Sequence, residues 1–203
     1  MKSKLSQDLI DKYPSLFNGD LLNPKDLATS THTKSVPRSS KNIKNFGIEC
    51  GDGWYTIIDH LLRNIDQHIK HTNDWLKKGS HRYNFLRKLS YNLRVKSSCN
   101  QKIRIKLGEW IEKNSPKVYA PLIIFNVAQI KEKFGTLRFY YIGGDEKIAG
   151  MVSMAESISY YTCETCGSTH NIGQTQGWIR IMCKSCYENS PQKDKITWNL
   201  RKG

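Results

Sequence analysis

Four cysteines near the C-terminus have the residue type and the spacing of a metal site. They form two Cys-x2-Cys pairs separated by sixteen residues, and they are Cys163, Cys166, Cys183 and Cys186. Two cysteines three positions apart can point at one ion across a tight turn, and two such pairs complete a tetrahedral shell of four thiolates. The spacing therefore predicts a zinc ribbon that holds one structural Zn²⁺.

The same cysteines are open to other interpretations. Disulfides or a redox Cys-x-x-Cys use the same residue type, but structural disulfides are disfavoured in a cytosolic chain and a redox motif needs only one pair. A catalytic zinc keeps one open position, whereas four thiolates close the shell. His170 competes for a ligand position, although we interpret it as a loop residue. Cys50 and Cys99 are interpreted as small buried hydrophobes.

A long basic stretch is the second candidate site. Between Trp75 and Gly108 there is no Asp or Glu, while ten Lys and Arg residues fall inside it. Rings at Tyr83, Phe85 and Tyr91 are interleaved, and such rings can stack on bases while cations follow phosphates. The predicted nucleic-acid-binding residues are Lys77, Lys78, Arg82, Arg87, Lys88, Arg94, Lys96 and Arg104.

The basic stretch has two other interpretations. A solvated helix would carry these cations on its outer side and bury an apolar side, composed of Phe85, Leu86, Leu89 and Leu93. An acidic protein surface would also attract the positively charged residues of the basic stretch. The clustering favours a negatively charged partner, and it does not choose between nucleic acid and protein.

A third pattern points to an enzyme. Metal-dependent nucleases hold magnesium with carboxylates, and a lysine on a neighbouring strand supports the attacking water. Glu49 and Asp52 offer carboxylates, and Gln129-x-Lys131 has the matching spacing on a predicted strand. Asp52 also suits a helix cap, and Gln-x-Lys arises often by chance, so we predict no catalytic residues and no cleavage of nucleic acid.

Three amphipathic helices are predicted to position these residues. Apolar residues recur at helical spacing over residues 5–13, 54–69 and 148–158. Pro14 should end the first helix, because the residue before a proline is pushed out of helical geometry. Asp52 stands at the N-cap of the second helix, and Asp145 after two glycines should cap the third.

One β-hairpin is predicted from Val127–Lys133 and Thr136–Ile142, with Gly135 supplying the backbone freedom of the turn. Residues 177–182 are strand-like and lead into the second cysteine pair. These elements predict an α+β fold, in which helices pack on a small antiparallel hairpin or sheet and a four-cysteine zinc ribbon follows at the C-terminus.

The predicted domain boundaries follow composition. Residues 29–46 lack carboxylates and are rich in Ser and Thr, which is typical of a linker. The predicted divisions are an N-terminal helix and loop at 1–28, a basic linker at 29–46, an α+β core at 47–160 with a basic insertion at 75–108, the zinc ribbon at 161–190 and a basic tail at 191–203.

Composition limits the function classes. The chain has 203 residues and a formal net charge of +14, and 38% of its residues are hydrophobic, so it is globular with polar segments. The longest apolar run, Leu122 to Phe125, is far shorter than the roughly 20 residues that span a bilayer, and the N-terminus lacks a signal peptide's apolar run. We expect a soluble cytoplasmic protein with no membrane partner.

Three sets of segments add a resemblance. KYPSLF with GIECGDGWYTIIDHL, then QIKEKFGTLRFYYIGGD, and then AESISYYTCETCG with GWIRIMCKSC occur in this order. In this the chain resembles a widespread set of small bacteriophage and prophage proteins of unassigned function. The resemblance covers most of residues 9 to 60 and 127 to 187 and leaves out the basic stretch. It implies the host cytoplasm as the location and host machinery as a possible partner.

Three functions are therefore open. The first is a non-enzymatic, zinc-ribbon phage accessory protein that binds nucleic acid through the basic stretch. The second is a host-takeover or anti-defence protein that binds and inhibits an acidic host protein. The third is a metal-dependent nuclease.

Overall fold

The computed structural model describes residues 1–17, 48–95, 101–114, 122–191 and 193–201. Within these parts the helices are α1 (Ser3–Lys12), α2 (Pro14–Phe17), α3 (Tyr55–Val95), α4 (Gln101–Asn114), α5 (Glu146–Ser159) and α6 (Lys184–Glu188). The strands are β1 (Ile48–Glu49), β2 (Phe125–Lys133), β3 (Thr136–Gly143), β4 (Ile172–Thr175), β5 (Ile181–Cys183) and β6 (Trp198–Leu200). The predicted α+β class is confirmed. The predicted linker at 29–46 lies outside the described residues.

The chain forms two compact units. The first unit contains residues 1–67 and 124–203 and holds both three-stranded sheets. The second unit contains residues 68–123, which include the later part of α3 and all of α4. Inside the second unit, Asn73 fixes the chain at Ile123: its side-chain amide donates to the Ile123 carbonyl at 3.0 Å and accepts from the Ile123 amide at 2.8 Å.

The first sheet has the strand order β1-β2-β3. β2 and β3 pair antiparallel with Lys133 opposite Thr136, so the predicted hairpin is confirmed. Its turn places both Phe134 and Gly135 at positive φ. β1 adds a parallel pairing that the sequence analysis did not include, with Ile48 opposite Ile130.

The core of the first unit joins this sheet to four helices. Trp54 and the apolar side of the first turns of α3 are fully buried, which confirms the predicted helix, although it continues far beyond Ile69 to Val95. The largest fully buried side chains are Trp54, Phe17, Phe139, Leu9, Leu16, Ile58, Leu62, Ile65, Ile130, Leu137 and Ile148. They come from α1, α2, α3, α5 and the strands, as a layered α+β core requires.

The helix ends agree with two predictions and correct a third. α1 ends at Lys12, and Pro14 opens the short helix α2, where its missing amide costs nothing. The Asp145 carboxylate caps α5 by accepting from the Ile148 amide at 2.9 Å. The N-cap prediction for Asp52 is wrong, because Asp52 lies inside a 3-10 turn before α3 and Gly51 holds the cap position. Its carboxylate instead accepts from the Lys2 amide at 2.7 Å, at the start of α1.

Helix α5 covers the open edge of β3. Two β3 amides that no strand pairs donate to side chains of α5: Leu137 to the Ser159 hydroxyl and Phe139 to the Glu156 carboxylate, both at 2.9 Å. This satisfies donors that an uncovered sheet edge would leave free. It also fixes the end of α5, from which the first cysteine pair follows.

The second sheet builds the cysteine-bearing module. Its order is β5-β4-β6, and both pairings are antiparallel. Ile172, Ile181 and Met182 form its small apolar core, with Trp198 packed against it. The predicted strand over 177–182 is shorter than expected, since β5 begins at Ile181 and the residues before it form the turn from β4.

Candidate functional site

The four predicted cysteine ligands form one cluster. The sulfur atoms of Cys163, Cys166, Cys183 and Cys186 all lie within 4.8 Å of one another. The Cys166 and Cys183 sulfurs are 3.7 Å apart. A tetrahedral zinc with bonds of about 2.3 Å requires sulfur separations of about 3.8 Å. The four thiols are therefore close enough to coordinate one metal ion, and both their distances and their chemistry are compatible with zinc.

The first cysteine pair lies on a tight turn after α5. The Gly167 amide donates to the Cys163 carbonyl at 2.9 Å, and Gly167 has a φ of 79°. That positive φ suits glycine. The turn buries Cys163 completely and leaves Cys166 exposed. The pair thus gives the cluster one enclosed sulfur and one at the surface.

The second pair is held by the start of a helix. Cys183 ends β5 and caps α6, and its sulfur accepts from the Cys186 amide at 3.5 Å.

Burial alone would raise the pKa of the Cys163 thiol, but the backbone amides of Cys183, Cys166 and Thr165 hold that pKa below its ordinary value. Donors aimed at sulfur stabilise the thiolate, which is the form that binds metal.

The other predicted Cys and His residues stand apart from the cluster. His170 is exposed in the loop before β4 and does not belong to the group of four. Cys50 is buried, and this burial raises the pKa of its thiol to about 12, so it behaves as the inert hydrophobe that was predicted. Cys99 lies outside the described residues.

A loop from the core docks on the first cysteine pair. The sequence analysis did not predict this docking. The Gly53 amide donates to the Glu164 carbonyl at 2.8 Å, and the Gly51 amide donates to the Glu164 carboxylate at 2.9 Å. The Trp54 indole donates to the Thr162 carbonyl at 3.0 Å. The segment around the first cysteine pair is therefore hydrogen-bonded directly to the segment that begins α3.

The two glycines of this loop allow the close approach. A Cβ on Gly51 would lie 2.1 Å from the Glu164 carbonyl oxygen, and a Cβ on Gly53 would lie 2.3 Å from that of Cys163. Glycines on both sides of Asp52 were a visible signal, because glycine often marks a place where another backbone comes close. The sequence did not identify which backbone that is.

Glu164 lies between the ligands of the first pair and is itself buried. One carboxylate oxygen accepts from Gly51, and the other lies 3.6 Å from the Arg180 Nε. Burial raises the pKa of Glu164 above its ordinary value, against the opposing effect of Arg180. Its position among backbone donors and Arg180 gives it a structural role at the docking site.

Three of the four candidate nuclease residues come together. Glu49 pairs with Lys131 in the parallel ladder, and the Gln129 amide donates to the Glu49 carboxylate at 3.3 Å. Asp52 bonds to the start of α1 instead, through the Lys2 amide. Within the described parts of the chain, the cysteine cluster is the only group of three or more potential metal-binding side chains. The Lys131 ammonium lies over the Tyr140 ring, 5.4 Å from its centre, so the hydrogen-bonded groups at Glu49 are one carboxylate and one amide.

The predicted nucleic-acid-binding residues lie largely on two helices. Lys77, Lys78 and Lys88 are exposed on α3. Arg82, Arg87 and Arg94 also fall within α3 and Arg104 within α4, but their side chains are not described. Lys96 lies outside the described residues.

Aromatic and aliphatic side chains accompany these lysines at the surface. Trp75 is 62% exposed and Phe85 is 67% exposed. Leu89 is exposed as well and Leu86 is half-buried, so the alternative of a buried side made of Phe85, Leu86, Leu89 and Leu93 is wrong at Phe85 and Leu89. The side chain of Leu93 is not described. Lys78, Phe85 and Leu89 are spaced by seven and four positions, which places them on one side of α3.

Comparisons with protein-family models, with characterised proteins and with solved structures found no match. Across the segments that the structure describes, no helix combines the length and the apolar character needed to cross a membrane.

Proposed function

We propose that this protein is a non-enzymatic nucleic-acid-binding protein whose C-terminal ribbon holds one structural zinc ion. The cluster of four sulfur atoms within 4.8 Å carries the metal part of the proposal. Four thiolates fill the tetrahedral shell and leave no position for water or substrate, so the ion stabilises the fold. The proposal has three parts: that the ion is zinc, that the partner is a nucleic acid, and that the protein originates from a bacteriophage or prophage.

The surface of α3 supports the nucleic-acid part. Lys77, Lys78 and Lys88 are exposed beside exposed Trp75 and Phe85. Ammonium groups neutralise phosphates and release counterions, and exposed rings provide stacking platforms for bases. A merely solvated helix gains nothing from leaving large rings in water, because exposed apolar surface is unfavourable.

A second candidate is docking on a host protein, as for a takeover or anti-defence factor. It is favoured by an apolar strip on α5, where Met154 and Ile158 are exposed at a spacing of four positions and exposed Tyr161 follows the helix. Apolar surface of this kind is a common feature of protein interfaces.

The test is the salt dependence of binding to duplex DNA and RNA. We expect the logarithm of affinity to fall by about 0.9 per log unit of salt for each neutralised duplex phosphate. The triple variant Lys77→Ala, Lys78→Ala, Lys88→Ala should bind all sequences more weakly and with a smaller salt slope. Fluorescence anisotropy with labelled oligonucleotides at several salt concentrations measures both quantities.

A matched control removes the same charge elsewhere. Lys4, Lys133 and Lys147 are exposed residues of the first unit. Their triple alanine variant should keep most of the parent affinity. If the parent shows no binding at low salt, the proposal is wrong and the basic surface serves a protein partner. Equal losses in the two triple variants would instead reflect net charge alone.

A further inference from the structure

The turn between β4 and β5 is held by hydrogen bonds and carries an exposed tryptophan. The Thr175 hydroxyl donates to the Trp178 carbonyl at 2.6 Å and accepts from the Arg180 amide at 2.8 Å. The Gln176 amide donates to the Thr197 carbonyl at 2.8 Å. These bonds hold the backbone on both sides of Trp178, whose side chain is nevertheless 78% exposed. Packing within the ribbon does not account for so large a ring at this position.

An open cleft of about 470 Å³ lies beside this loop. Its volume falls within the roughly 300–1,000 Å³ that is usual for ligand sites. The two neighbours of Trp178, Gly177 and Ile179, line it. The remaining lining residues are Gln174, Thr175, Gln176, Asn199, Leu200 and Arg201.

Side-chain amides dominate the polar part of the cleft. The Gln174 Oε1 accepts from Arg201 at 2.6 Å, so the amino group of Gln174 remains able to donate. Among the described residues, none hydrogen-bonds the side-chain amides of Gln176 or Asn199. An amide offers a donor and an acceptor side by side, which matches the edge of a nucleobase.

The charge of the cleft suits the same ligand. No lining residue is acidic, and Arg201 is the only lining residue that carries a charge. Outside the cleft, Glu164 is buried beside Arg180, and the Glu188 carboxylate lies 3.8 Å from the Lys184 ammonium. Asp194 is exposed in the short 3-10 turn before β6 and does not line the cleft. A ligand with phosphate groups therefore meets no unpaired carboxylate in the cleft itself.

We propose that this cleft and Trp178, the ribbon face, bind unpaired bases of a single-stranded nucleic acid. The ring of Trp178 stacks on a base, and the amides of Gln176 and Asn199 bond to base edges. Paired bases in a duplex hide both their faces and their pairing edges, so the ribbon face selects single strands. The inference rests on the proposed nucleic-acid function and adds a second, strand-selective surface to it.

The experiment compares Trp178→Ala with the parent on a labelled single strand and on the corresponding duplex. Loss of one stacked base should weaken single-strand binding about five-fold or more. Duplex binding should stay unchanged, because it uses the lysines of α3. Trp178→Phe should retain most of the single-strand affinity, and Asn199→Asp should lower it by placing a carboxylate in the cleft.

Two controls separate binding from folding. Phe134→Ala removes an exposed aromatic ring from the turn between β2 and β3 and should leave both affinities unchanged. Because Trp178 is exposed, its variants should keep the metal content and melting temperature of the parent.

The outcomes distinguish this inference from the proposed function. If Trp178→Ala binds single strands as tightly as the parent while the α3 lysine variant loses affinity, the ribbon inference is overturned and the proposed function stands. The ribbon face would then be left to a protein partner. If the parent binds neither single strands nor duplexes at low salt, both proposals fail together.

Discussion

Gly51 and Gly53 are the residues at which the core approaches the cysteine cluster. At Gly53 an added Cβ would meet the carbonyl oxygen of Cys163 at 2.3 Å and the amide nitrogen of Gly167 at 2.5 Å. Both are backbone atoms of the first cysteine turn, so neither can rotate away as a flexible side chain would. The absence of a side chain at Gly53 is therefore required by packing.

Gly53→Ala should destabilise the protein. The methyl group has to push the cysteine turn away from the start of α3, and overpacking of this kind costs about 1–3 kcal/mol. Urea denaturation followed by circular dichroism measures the free energy of unfolding. We also expect weaker metal retention, because the displaced turn carries Cys163 and Cys166.

Gly150→Ala is the matched control. Gly150 lies within α5, and nothing is within 4 Å of the place where its Cβ would lie. Alanine is the better helix former, so this variant should gain about 0.5–1 kcal/mol. If both variants shift stability in the same direction, close packing at Gly53 is not the cause.

At the scale of secondary-structure elements, α1 and α3 are joined through Asp59, whose carboxylate is largely buried. It accepts from the Lys12 ammonium and from the Tyr13 hydroxyl, both at 2.7 Å, and from Arg63 at 3.1 Å. Burial by itself would raise the pKa of Asp59, but the bonds from Lys12 and Tyr13 hold it below its ordinary value. The ionised form is thus favoured in the folded state.

This gives a prediction for acid stability. A depressed carboxyl pKa contributes stability that is complete above the unfolded-state pKa of about 3.9 and is lost as pH falls through the folded-state pKa. Asp59→Asn should therefore be less stable than the parent at pH 6, by about 1–3 kcal/mol, and the difference should shrink toward pH 3. Urea denaturation across this pH range measures it. The exposed Asp11→Asn should follow the parent, and a difference for Asp59→Asn that does not change with pH would contradict the prediction.

The elements that the sequence predicted are those with a local signal. Periodicity identified α1, the start of α3 and α5, and alternation around Gly135 identified the hairpin of β2 and β3. The cysteine spacing identified the cluster before its geometry was known. The pairing of β1 with β2 could not be found in this way, because two residues at positions 48 and 49 carry no periodicity.

The misinterpretations also have a physical origin. Asp52 has the residue type of a helix cap, but its carboxylate bonds to α1, which is distant in sequence. The alternative interpretation of a solvated helix assumed from spacing alone that Phe85 and Leu89 would be buried, although burial depends on what packs against a helix and not on its own pattern. The docking of Gly51 and Gly53 on the cysteine turn likewise joins segments more than a hundred residues apart.

In the first unit as a whole, the ribbon is bonded to the core at several places. The Gly51 to Trp54 loop docks on the first cysteine pair, and a Cβ on Gly135 would lie 3.0 Å from both Ile179 and Ile181. Arg201 donates to the Tyr160 carbonyl at 2.6 Å and lies over the Tyr160 ring. The cysteine cluster is therefore joined to the core through short contacts.

Removal of the metal should loosen the start of α3. The carbonyls of Thr162 and Glu164 accept from the Trp54 indole and the Gly53 amide, and both belong to the segment around Cys163. Without an ion, the turn keeps backbone hydrogen bonds such as the one from the Gly167 amide to the Cys163 carbonyl, but it loses the link between the two cysteine pairs. Structural zinc supplies about 10–16 kcal/mol in small fingers. Chelation, or Cys163→Ser, should therefore lower the protection of the Gly51 and Gly53 amides against hydrogen exchange and change the fluorescence of Trp54.

Amides paired between β2 and β3 should keep their protection, because their acceptors lie within the hairpin. The control Cys50→Ala, which removes a cysteine outside the cluster, should retain one equivalent of zinc and the parent exchange pattern. A purified parent that contains no metal, or a Gly53 amide whose exchange is unchanged by chelation, would show that the cluster does not order the core.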